Sequence, residues 1–176
     1  DEYDVAPTGI IKLITEQMNA GLDQSGAALD QPTRFTVGAA TSLTPSDIDR
    51  EATLLHKKAR FGVDFVLTQP CFDPAAARRF LAHYRAEFGA GPVPILLGIQ
   101  PLYNSRNAEF LHNEVPGISI PGHFRERMRN TNDPTREGLA IATEIAAELR
   151  DGVQGIYIIP AFGRYDLAAD LLDRLN

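Results

Sequence analysis

Apolar positions in this chain gather into four short, dense runs, separated by stretches with helical spacing. The runs are Phe35 to Ala40, Asp64 to Gln69, Val93 to Gln100 and Gly155 to Pro160, each rich in β-branched or aromatic residues. Runs that are apolar at nearly every position, rather than alternating, predict parallel strands covered on both faces. Between them, Ile48, Ala52, Leu55 and Ala59 share one helical face, behind a predicted cap and first-turn proline at Thr44-Pro45. Asp73-Pro74 opens a second helix in the same way, with Ala77, Phe80, Leu81, Tyr84 and Phe88 inward. Further helices are predicted over Thr8 to Asn19, Gly138 to Arg150 and Tyr165 to Leu175.

The first three strands begin 29 residues apart, and the fourth begins 62 residues after the third. A beat of about 30 residues is that of one βα unit. The longer interval holds a Pro/Gly-bounded insertion, residues 113–134, with a basic helical piece at His123 to Arg129. Repeated βα units favour a barrel over a sandwich or a bundle. A complete (β/α)8 barrel has eight strands and about 250 residues. Four strands leave two readings, an open α/β sheet or half of a barrel.

Composition narrows the function classes. With 176 residues, 44% hydrophobic and 23% charged, the chain can bury one sizeable core. A net charge of −6 offers no electrostatic case for nucleic acid. No apolar run approaches the ~20 residues of a membrane helix, so no membrane partner is expected. One cysteine excludes an intrachain disulfide framework and a Cys-based zinc site, and Cys71 is expected to be a packed side chain. The histidines at 56, 83, 112 and 123 lack metal-ligand spacing, so no metal is expected. His56 and His83 are expected on helix surfaces, and His112 in a structural turn. The arginines 125, 127 and 129 are expected to form a solvated face, or else an interdomain or subunit contact. With no initiating Met and no signal-like start, Asp1 is not expected to be the natural N-terminus, and a cytoplasmic location is the default.

Candidate chemistry concentrates in Glu51 to Asp73, EATLLHKKARFGVDFVLTQPCFD. It reads as a helix, a one-glycine turn, an apolar strand and a polar pair, Thr68-Gln69, at the strand's exit. In parallel α/β proteins ligands sit beyond the strand ends. A Gln there can donate and accept together, which suits an amide-bearing ring. Capping of a local backbone group is an equal alternative. Thr68 points the other way along the strand and is expected to be packed.

The blocks RFTVGAA, KKARFGVDFVLTQPCFD, PILLGIQPLYNSRNAEFLHNEVPGISIP and GVQGIYIIPAFGRYD resemble the methylenetetrahydrofolate reductase family, in its order and spacing. SRNAEFLHNEVPGI is the most specific of them. The likeness is strongest to the reductase half of bacterial bifunctional proteins that also carry a homocysteine S-methyltransferase domain, so a fused domain of that kind is one partner the resemblance allows. The resemblance implies a TIM (β/α)8 barrel of which this chain covers about strands five to eight. Residues 1–176 are then the C-terminal half of one domain, with 113–134 inserted before the last strand. It also implies FAD as cofactor, NAD(P)H as co-substrate and a tetrahydrofolate derivative as substrate, 5,10-methylenetetrahydrofolate being reduced to 5-methyltetrahydrofolate. Nothing visible separates NADH from NADPH.

By the same resemblance, Gln69 matches a glutamine at the end of strand six that meets the pterin and nicotinamide rings. Lys58 matches a lysine on the FAD diphosphate or ribose, and Glu51 an acidic residue against the same cofactor. The two lie nearly two helical turns apart on one face, ~10 Å, which suits an extended dinucleotide. Ala40 and Thr41 follow strand five, where many relatives carry a tyrosine near the flavin. Gln100 and Tyr103 occupy the region of an aromatic that stacks on folate or nicotinamide. Arg164 lies near an arginine that helps bind folate and can fork onto its glutamate tail, with an ion pair to Asp166 or Asp170 as the alternative. The family's acidic catalytic residues would lie upstream of Asp1, so no catalytic residue is assigned and residues 1–176 alone are expected to be inactive. The partner expected is the N-terminal half of the barrel, and a homo-oligomer is expected. Two rival readings remain: a non-catalytic folate- or flavin-binding module, and another pterin-handling barrel such as a folate-dependent methyltransferase.

Overall fold

The computed structural model describes residues 5–89, 91, 93–160 and 163–175. Four strands, β1 (Gly38–Thr41), β2 (Phe65–Pro70), β3 (Ile95–Ile99) and β4 (Gly155–Ile158), form one all-parallel sheet in sequential order. Helices α1 (Pro7–Lys12), α2 (Ile48–Arg60), α3 (Pro74–Phe88), α4 (Ser105–Glu114), α5 (Gly122–Asn130), α6 (Pro134–Leu149) and α7 (Tyr165–Leu175) lie before, between and after the strands. Consecutive parallel strands joined by helical crossovers are the arrangement of a barrel wall. The fold is α/β, a part of a TIM barrel.

All four predicted strands exist, but the first starts late. Phe35 is 53% exposed and lies outside β1. Its backbone is held by a side chain instead of a ladder: the Phe35 N–H donates to Asn19 Oδ1 and its carbonyl accepts from Asn19 Nδ2, each at 3.0 Å. The Val37 N–H likewise donates to Asp64 Oδ2 at 2.7 Å. Helix α2 begins at Ile48, not at Thr44-Pro45, because the Asp47 carboxylate accepts from the Arg50 N–H at 3.0 Å and caps it. Asp73-Pro74 opens α3 as predicted, with Asp73 accepting from the Ala76 N–H. The same pair, Asp133-Pro134, opens α6, so that helix begins four residues before the predicted Gly138. The first helix extends as a π segment, Leu13–Gln17, and a 3-10 turn, Met18–Ala20, ending at Gly21 with φ 86°.

Burial is one-sided, not two-sided as the apolar runs predict. Val66 and Thr68 are buried in the layer between sheet and helices, whereas Leu67 and Gln69 face the open side. On that open face the register aligns Ala40, Leu67, Leu96 and Gly155 in one row. Large and small residues interlock across it: a Cβ at Gly155 would lie 2.8 Å from Leu96 Cδ2, and one at Gly38 would meet the Phe65 ring. Such filling by alternating side chains is how a barrel interior is built.

The arginines of α5 do not form a free solvated face. Arg125 and Arg129 both reach Glu109 on α4 at 2.9 Å, and Arg127 joins Glu137 and Glu144 on α6. Of the histidines, His56 stacks on Phe88 at 4.3 Å and is half-buried, so α2 and α3 share it. His83 pairs with Asp49 across the same helices at 3.0 Å. His112 does serve a turn, its Nδ1 accepting from the Ile120 N–H at 3.1 Å.

Candidate active site

The C-terminal ends of the strands carry the polar groups. At the end of β1, Thr41 Oγ1 donates to Glu51 Oε1 at 2.8 Å and the Ser42 N–H donates to the same oxygen at 3.1 Å. Lys58 Nζ donates to the Ala40 carbonyl at 2.7 Å. Both charged residues stand on the inward side of α2, whose other inward residues, Ala52 and Leu55, are fully buried. Ala40, Thr41, Glu51 and Lys58 therefore come together, and they hold one another as well as the strand end. A lysine ammonium has three donors, so its bond to Ala40 leaves two.

At the end of β2, Gln69 is exposed on the open face. Its side-chain amide makes no hydrogen bond among the described residues. The capping alternative is not what the structure adopts. Thr68 is 2% exposed and packed, as expected. Gln100 follows β3 directly and is half-buried. Tyr103 lines a cavity of about 390 Å³ with Asn104, Arg106, Asn107 and Phe110, at the start of α4. Asn104 caps that helix, its Oδ1 accepting from the Asn107 N–H at 2.7 Å. After β4, Arg164 forks onto Asp166, with Nε and Nη2 at 2.9 and 2.6 Å. That hydrogen bonding holds the Asp166 carboxyl below the usual carboxylate range and raises Arg164. Arg164 is thus engaged locally, and no contact among the described residues gathers it with Gln69. Ala161 and Phe162 of the AFGRYD block lie outside the described residues.

Cys71 is buried just past Gln69, and burial pushes its thiol up to about 12. A thiol so raised does not supply thiolate at neutral pH. No group of three or more His, Cys, Asp or Glu side chains able to hold a metal occurs among the described residues. None of the described helices is long and apolar enough to cross a membrane.

Sequence reasoning missed Tyr157, whose Oη donates to the Thr68 carbonyl at 2.5 Å across Gly98. Its signal was present in GIYI, where the one hydroxylated ring falls on the same strand face as Gly155. A family profile described as methylenetetrahydrofolate reductase matches residues 11–176. The chain belongs to the methylenetetrahydrofolate reductase family.

Among curated proteins none matches. A solved structure, described as an uncharacterized protein from Clostridium thermocellum that binds two copies of 5-methyl-5,6,7,8-tetrahydrofolic acid, is similar to this methylenetetrahydrofolate reductase family chain. The two share 18% identity with a TM-score of 0.60 over 83% of this chain. That likeness carries the fold. This chain spans about half of the solved one, 54% of its length.

Proposed function

We propose that this chain supplies strands five to eight of an FAD-dependent methylenetetrahydrofolate reductase, which reduces 5,10-methylenetetrahydrofolate to 5-methyltetrahydrofolate with NAD(P)H. The observation that carries the reading is Gln69. An amide with no partner among the described residues stands on the open face, at the ligand end of a parallel strand, inside a family-specific block. Such a group can match the donor-acceptor edge of a pterin or a nicotinamide. The solved relative described as binding a methylated tetrahydrofolate supports that ligand class.

The residues at the end of β1 fit the flavin dinucleotide in their donor chemistry. Lys58 keeps donors for a diphosphate, while Glu51 fixes the Thr41-Ser42 backbone and retains its second oxygen for a hydroxyl. The flavin, when bound, carries the hydride between the two substrates. This chain's share is recognition: Gln69 orients the ring, Lys58 neutralises phosphate charge, and Gln100 and Tyr103 border the substrate. Arg164 meets a folate tail only by exchanging Asp166 for the ligand's carboxylate. Residues 1–176 form the C-terminal half of the domain, with 113–134 as an excursion before the last strand. The general acid and the rest of the barrel come from outside it.

The visible spectrum of the full-length protein tests this. A flavin band should bleach with anaerobic NADH or NADPH and return on addition of 5,10-methylenetetrahydrofolate. A flavin that neither nucleotide bleaches would reject the reductase reading, and a protein that stays colourless with added FAD would reject the cofactor.

A further inference from the structure

The ladder between β2 and β3 is irregular at one place. Leu67 pairs with Leu96, and the next pair is Pro70 with Gly98, so β2 advances three residues where β3 advances two. The extra residue makes a β-bulge at Thr68-Gln69, a device that re-aims a side chain. Three groups hold it. Gly98 N–H donates to Thr68 Oγ1 at 2.9 Å, and that hydroxyl donates to the Gln69 carbonyl at 2.8 Å. From the strand beyond, Tyr157 Oη donates to the Thr68 carbonyl at 2.5 Å. The tyrosine crosses β3 at the one point where no side chain stands. A Cβ on Gly98 would lie 2.8 Å from Tyr157 Oη and 3.0 Å from the Thr68 carbonyl oxygen.

Both peptide groups flanking Gln69 are therefore fixed by side chains, while its own amide is left free of protein partners among the described residues. The geometry points to Tyr157, with Thr68, as positioning residues that set the direction of Gln69 toward a bound pterin. Gly98 is the gap that lets them meet. This rests on the reading of Gln69 as a contact to tetrahydrofolate.

The test is a double-mutant cycle in the full-length protein, read as the dissociation constant for 5-methyltetrahydrofolate. Tyr157→Phe removes one hydroxyl and keeps the ring, and should weaken binding roughly 3- to 10-fold, as loss of one hydrogen bond does. In a Gln69→Ala background the same substitution should have no further effect, because the group it positions is gone. Thr68→Val should behave like Tyr157→Phe, and Thr68→Ser should restore binding. Equal weakening by Tyr157→Phe in both backgrounds would overturn the proposal, since a merely structural role predicts that result. Unchanged affinity in Tyr157→Phe, with Gln69→Ala impaired, would overturn it too. If Gln69→Ala itself leaves affinity intact, the reading of Gln69 falls and the proposal falls with it. Should Tyr157→Phe fail to fold, the Thr68 pair carries the same comparison.

Discussion

Cys71 sits two residues beyond Gln69, close to the open face, yet it is sealed in the core. Its thiol donates to the Asp73 carbonyl at 3.8 Å, and desolvation keeps it protonated. Alkylation by iodoacetamide near pH 8 should therefore be negligible in the native protein and complete in urea. Labelling of the folded protein at the rate of a free thiol would show that the β2–α3 turn opens. Lys58 and Glu51 teach a related lesson about how far residues can be read from sequence. Their shared face was legible, because helical spacing fixes it. Their bonds to Ala40 and Thr41 were not, since these cross from α2 to β1 and depend on how the helix is laid on the strand. Arg164 was more legible: of its two readings, a folate tail or an ion pair to Asp166 or Asp170, the pair to Asp166 is the one the structure forms.

Elements were legible where apolar runs set them and less so at their ends. Side chains decided the ends: Asn19 and Asp64 displaced the start of β1, Asp47 the start of α2, and Asp133 that of α6. The basic piece in residues 113–134 was seen as a helix, and its charge was misjudged because its partners stand on α4 and α6. Glu109 clasps Arg125 and Arg129, and the bond from Arg125 holds its carboxyl below the ordinary range. A carboxyl depressed in the folded state stabilises at pH above its unfolded value, about 4.3, and that help is lost as pH falls through the folded value. Urea denaturation should find wild type more stable than Glu109→Gln at pH 7, with the gap closing as pH falls below the unfolded carboxyl value. A gap of constant size would mean that the clasp contributes shape rather than charge.

At the scale of the whole molecule, the number of strands was legible from the apolar runs and their parallel order from the βα beat. The open face was not, because an apolar strand reads alike whether its second face is covered within the chain or outside it. β1 and β4 each have one ladder neighbour among the described residues, and Leu67 is 36% exposed on the open side. Unpaired edges and an apolar sheet face invite association. Residues 1–176 produced alone should self-associate, seen as a mass above 19.3 kDa by light scattering. A monodisperse, cooperatively melting monomer would show that this sheet is complete as it stands.

The bond from Tyr157 to Thr68 also has a meaning in time. It joins residues 89 apart, across the long β3–β4 connection, whereas β1, β2 and β3 pair over much shorter loops. Loop-closure entropy delays such distant contacts during folding. The Thr68-Gln69 end of β2 is then the last piece of the sheet to mature. A refolding chain should regain its helical circular dichroism before the folate binding proposed above, and Tyr157→Phe should leave the early phase unchanged.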